Sequence, residues 1–204
     1  MKKIILFLAA IVMQYFAAMA DSPLTSTPFW EVYQKEKIII KAQKAGGILT
    51  TELADFLISK KGKIDVKMAL INCLSWNLNG KKNSVIFLNR LLEKNIYKTS
   101  SEFREKGSAE HLLCMAYLKA MDDYFTVTEA LDWAEMATTK NSGSYTFAII
   151  HALIKAQFYF DDDWCNVWQS TNQVRENRLL KQDMKPQAIE IIFTYMDLYR
   201  EYCQ

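Results

Sequence analysis

Proline and glycine are scarce, three and six in 204 residues, and strand-like alternation of apolar and polar residues is rare, which excludes a turn-rich all-β sandwich or barrel. Histidine is scarcer still, with His111 and His151 the only two, and no paired-histidine metal motif occurs. Glycine-rich phosphate loops and nucleophile elbows are absent as well. Apolar runs long enough for a membrane span are missing after the first twenty residues. There is also no lasting charge excess. Lys2 and Lys3 account for the whole surplus of 25 basic over 23 acidic residues, so residues 21–204 are formally neutral and carry no overall field towards nucleic acid or anionic lipid.

Those two lysines begin a segment with the three-part layout of a secretory signal. Ile4 to Phe16 is apolar except for Gln14, and Ala18-Met19-Ala20 offers a small-x-small cleavage site. The run is shorter than the roughly 20 apolar residues of a spanning helix. Cleavage is expected after Ala20, leaving residues 21–204 as one domain in the periplasm or cell exterior, with no membrane span. Asp21 rather than cysteine follows the cut, so a lipid-modified cysteine is not expected there.

An exported chain meets oxidising conditions, and the four cysteines, Cys73, Cys114, Cys165 and Cys203, allow three ways of forming two disulfides. Cys73 and Cys114 lie in apolar helical runs and read as buried free thiols. Cys165, near a helix start, and Cys203, near the chain end, are better placed to fasten the last helix.

The dominant positive signal is apolar spacing of three and four, punctuated by helix starts and stops. Thr27-Pro28 reads as a cap and first helical residue of a segment stopping at Gly46-Gly47. Further helices are expected after Thr50, from Asp65 to Trp76, and after Asn83. Thr99 and Glu102 have capping-box spacing but open only a short turn before Gly107. Ser108 is expected to cap a long helix, the pair Thr126 and Glu129 its partner, Asp162 or Asp163 the helix of Trp164 and Trp168, and Pro186 the last. The fold class is all-α: a single domain of about nine helices stacked as antiparallel hairpins, either a short right-handed solenoid of the tetratricopeptide or HEAT kind or a compact bundle.

In the hairpin from Ser108 to Lys140, Ala116 and Tyr117 of the first helix and Ala130, Ala134 and Ala137 of the second resemble the small and aromatic packing positions of a tetratricopeptide repeat. The resemblance implies helical repeats that hold a peptide or protein in a concave groove. It carries over no binding residues.

Chemistry-bearing clusters are thin. His111 and Cys114 share a helix face but have no third or fourth ligand nearby in sequence. Asp161-Asp162-Asp163 lacks the spacing of a calcium loop and suits a helix start. His151 reads as a core histidine satisfied by one hydrogen bond. Trp164, Trp168 and Tyr159, with Phe158 and Phe160, gather near one helix junction, where they fill the core or offer partner-binding aromatics. No catalytic residue, metal ligand or cofactor site is assigned. The expected function is non-catalytic binding of a protein or peptide by an exported adaptor, chaperone-like or immunity-type protein. The alternative is a small envelope hydrolase or transferase using carboxylates such as Glu110, Asp122 and Asp163, brought together by folding.

Overall fold

A computed structural model describes residues 21–76, 80 and 82–203; the expected secretory segment and the expected cleavage after Ala20 lie outside the described residues. Among these there are ten α-helices and no strand, only an isolated bridge between Ser144 and Lys181. The helices are α1 (Lys37–Lys44), α2 (Thr51–Ile58), α3 (Ile64–Leu74), α4 (Asn83–Glu93) and α5 (Ser100–Lys106). They continue as α6 (Ala109–Asp122), α7 (Thr128–Lys140), α8 (Tyr145–Tyr159), α9 (Trp164–Glu176) and α10 (Pro186–Met196). Two 3-10 turns, Phe29–Tyr33 and Asp197–Tyr202, precede α1 and follow α10.

Local capping sets many of the starts. The side chains of Thr50, Thr99, Ser108, Ser144 and Asp163 each accept the amide three positions on, satisfying a donor that the first turn would otherwise leave open. The Thr99 box is a variant: Glu102 reaches back to the amide of Lys98 at 2.7 Å rather than to that of the cap itself. It opens a seven-residue helix instead of a mere turn. Gly107 ends it because the chain passes so closely that a Cβ would lie 2.5 Å from the Phe103 carbonyl oxygen.

Several expected starts are corrected. The segment from Thr27 to Gly46 is not one helix but a 3-10 turn followed by α1, with a break at Gln34–Glu36. Thr27 is no cap; its hydroxyl is buried and donates to the Pro23 carbonyl at 2.8 Å. Thr126 does not cap α7, whose flanking residue is Val127 without a side-chain bond. Asn83 is the first helical residue of α4, and its side chain instead joins Leu49 and Gly47. The amides of Asn83 and Ser84 are taken by Asp122, at 2.9 and 2.8 Å. A carboxylate at the end of α6 thus serves the start of α4. Asp183 treats α8 alike, accepting from the Thr146 amide at 2.8 Å and the Ser144 hydroxyl at 2.6 Å.

The α6–α7 pair is the most intimately packed in the molecule. Its antiparallel sense follows from its ends: Lys119 pairs with Glu129 across the short connection, while Lys140 reaches the Gly107 carbonyl at the far end. Ala116, Ala120, Ala130, Ala134 and Ala137 are all buried, and small side chains are what let two helix axes approach. Along α6, Leu112, Leu113, Leu118 and Tyr117 are almost wholly enclosed, each such leucine contributing about 1.5–3 kcal/mol of burial. Helices α7, α8 and α9 then pack each on the next.

Early and late parts of the described residues meet. The first 3-10 turn packs against both α3 and α10, and the Lys185 amide donates to the Tyr33 hydroxyl at 3.3 Å. The described helices form one compact domain. Cys165 and Cys203 form a disulfide, their Cα atoms 4.7 Å apart, which ties the terminal 3-10 turn to α9. Cys73 and Cys114 are free, with burial pushing their thiols up to about 11 and about 12.

Candidate functional site

The apolar run Val85-Ile86-Phe87-Leu88 gives α4 more greasy surface than one core-facing stripe needs. Phe87 is fully buried and takes the core side, while Val85 is 46% exposed and Leu88 half-buried. With α5, α6 and α7 these two residues line a cleft of about 270 Å³ whose other apolar walls are Phe103, Met115 and Trp133. Phe103 stacks on Trp133 with ring centres 5.2 Å apart, and the Arg104 guanidinium lies over the same indole at 4.9 Å. Glu129 accepts from the Trp133 indole at 3.2 Å and from Lys119 at 2.8 Å. The Lys119 ammonium holds the Glu129 carboxyl below the usual carboxylate range. Rotamers on both rims are fixed before any partner arrives, which lowers the entropy cost of binding.

The same groove continues past Ser84, Val85, Lys119 and Glu129 into a wider cleft of about 720 Å³ bordered by Asp122, Asp123 and Asp132, with Lys82 on its edge. An apolar slot thus runs onto an acidic shelf. Asp122 is pushed above its usual range by burial, with the Ser84 and Asn83 amides opposing. Asp123 bonds the Phe125 amide.

The aromatic residues singled out from the sequence lie elsewhere. Trp164 is 45% exposed, donates its indole N–H to the Phe160 carbonyl at 2.9 Å and meets Tyr202 edge-on at 4.5 Å. Trp168 donates to Asp197 at 3.1 Å. Tyr159 pairs edge-on with Phe158 at 5.4 Å instead of joining either tryptophan. The two indoles thus engage their N–H groups within the chain and receive the terminal 3-10 turn, beside the Cys165–Cys203 bridge.

Sequence-proposed carboxylates are kept apart by the fold. Glu110 and Asp122 sit at opposite ends of α6, twelve positions and so about 18 Å apart along its axis. Glu110 pairs with Lys67 at 2.6 Å, Asp122 serves α4, and Asp163 caps α9. Among the described residues no group of three or more His, Cys, Asp or Glu could hold a metal ion. His111 is structural: its Nε2 faces the Ile58 carbonyl at 3.0 Å and must donate, so Nδ1 accepts from the Tyr97 hydroxyl at 3.0 Å. Burial lowers its pKa. His151 corrects the expectation of a satisfied core histidine, since its buried Nε2 has no hydrogen-bond partner.

Lys67 was hidden by its setting. Its helix reads as apolar nearly all round, yet the ammonium is wholly buried, donating to the Ser59 carbonyl at 2.7 Å and to Glu110. The groove residues Phe103, Arg104 and Trp133 were equally invisible, because they come from two helices separated by the whole of α6. One signal was available: the four consecutive apolar residues of α4 cannot all face one core.

Comparison with family models, curated proteins and solved structures finds no match to this chain. No helix among the described residues is long and apolar enough to cross a membrane.

Proposed function

We propose that this chain is an exported, non-catalytic protein that holds a peptide or protein partner in the groove between α4 and α7. The observation that carries the reading is the apolar slot at Val85, Leu88, Phe103 and Trp133 opening onto the acidic shelf of Asp123 and Asp132. An extended segment presenting a large apolar side chain beside a lysine or arginine matches both halves, burying the first and pairing the second. The secretory layout of the first twenty residues supports an encounter outside the cytoplasm. The helical-hairpin resemblance supports a groove-binding role, and the scarcity of histidine and the separation of Glu110 from Asp122 weigh against the hydrolase or transferase alternative.

The test is selection of peptides from a random display library on the purified protein, followed by affinity measurement against two variants. Val85→Arg fills and charges the slot from an exposed position. Leu179→Arg changes a residue that is 93% exposed on another part of the surface. Enriched peptides should carry an aromatic or long aliphatic residue next to a basic one, and lose roughly tenfold or more in affinity on Val85→Arg alone. Equal binding to both variants would remove the groove from the account.

A further inference from the structure

A second cleft lies on a different part of the bundle, and its lining is predominantly basic. About 660 Å³ in volume, it is bordered by Lys35, Lys37, Lys61, Lys63 and Lys185. These five come from three separate stretches: the break before α1 with the first residue of α1, the α2–α3 loop, and the residue preceding Pro186 of α10. The sequence exposes only the Lys60, Lys61, Lys63 cluster, which by itself is an ordinary solvated turn. Tertiary structure adds the other three.

What distinguishes the cleft from a scatter of surface lysines is that three separate stretches bring five of them to one lining. Among the described residues none of the five takes part in an ion pair. Clustered ammonium groups repel one another, and an anion that neutralises them recovers that energy. Its acids are two, and one of them is occupied: Asp65 is buried, accepting the Tyr33 hydroxyl at 3.0 Å and the Val66 amide at 2.9 Å. That leaves Glu36 as the exposed acid in the lining. Lys185 is steadied by the Tyr33 ring, its ammonium 4.4 Å from the ring centre. The starts of α1, α3 and α10, none with a side-chain cap, border the same space and add partial positive charge.

We infer that this cleft is a binding site for a phosphate-bearing ligand, held by Lys35, Lys37, Lys61, Lys63 and Lys185. A multiply charged phosphate group suits it because several separated ammonium groups can each meet a different oxygen. The ligand is a soluble phosphorylated molecule or the phosphomonoester headgroup of a lipid. The site is independent of the α4–α7 groove and of what binds there.

Calorimetric titration with inorganic pyrophosphate at fixed ionic strength tests the inference on the full chain. Saturable binding is expected, weakened roughly tenfold or more by Lys35→Glu/Lys63→Glu. Lys98→Glu/Arg178→Glu makes the same change of net charge elsewhere and should leave binding unchanged. Lys35→Gln/Lys63→Gln removes the charge without reversing it and should show a smaller loss while melting like the parent. Flotation with phosphatidylcholine vesicles, with and without phosphatidic acid, separates the two sources. Lysine-dependent flotation with phosphatidic acid points to a lipid headgroup, and its absence alongside pyrophosphate binding points to a soluble ligand. No saturable binding of either probe, or equal losses in the two charge-reversed variants, overturns the inference.

Discussion

The seam between α3 and α6 and the closure of the C-terminus are fastened by opposite means. In the seam, polar groups are drawn into the interior and satisfied there. Lys67 meets Glu110 and Ser59, Asn72 donates to the Tyr117 hydroxyl at 2.9 Å, and its oxygen accepts the Trp30 amide at 3.1 Å. At the C-terminus the chain is held by the Cys165–Cys203 bond, by Arg175 gripping Asp197 at 2.8 and 2.9 Å, and by Trp164 against Tyr202. The seam depends on every partner being present, since a buried donor left alone costs its full desolvation. The closure is redundant at an exposed end, where a covalent link does what burial cannot.

The largest test of this contrast is Cys165→Ser/Cys203→Ser. Opening a loop of sequence separation 38 should lower stability by about 3–4 kcal/mol through the freedom returned to the unfolded chain. Urea denaturation with and without reductant reads it. A loss confined to local fraying of the last turn, seen by hydrogen exchange with an unchanged midpoint, would show that the aromatic and Arg175 contacts suffice.

Next in size is Glu110→Ala. It leaves the enclosed Lys67 ammonium without its counter-charge, at an expected cost of about 2 kcal/mol, below that of a wholly enclosed pair because Glu110 is itself partly exposed. Adding Lys67→Met should return part of that loss. If the double variant is no better than Glu110→Ala alone, the seam is held by packing and the pairing is incidental.

Asp122→Ala is the smallest, at about 1–2 kcal/mol, the range of a lost helix cap. Faster amide exchange at Asn83 and Ser84, with the rest of α4 unchanged, is the expected signature. Asp122→Asn keeps one acceptor oxygen and should lose less.

Helix positions were largely legible in the sequence, and the reason is locality. Thr50, Thr99, Ser108 and Asp163 act on amides three residues away, so spacing alone reveals them. The failures share a cause too. Thr126 has the spacing of a cap, but the carboxylate of Glu129 is engaged by Lys119 and Trp133, and the helix begins without it. Asp122 stands at the unfavourable end of its own helix and looks like a solvated turn, until folding brings the start of α4 to it.

The order of the residues by itself determined an all-helical chain, the approximate bounds of most helices, the close α6–α7 hairpin and an apolar segment ahead of residue 21. Each of these depends on interactions within a few residues or on the repeat of one helix face. Only tertiary structure decided that the first 3-10 turn meets α10 and that Lys67 is buried. It also decided that Val85 faces a groove with Trp133, and that five lysines from three stretches share one cleft. Those outcomes rest on contacts between residues far apart in sequence, and no local spacing records which distant surface a side chain will meet.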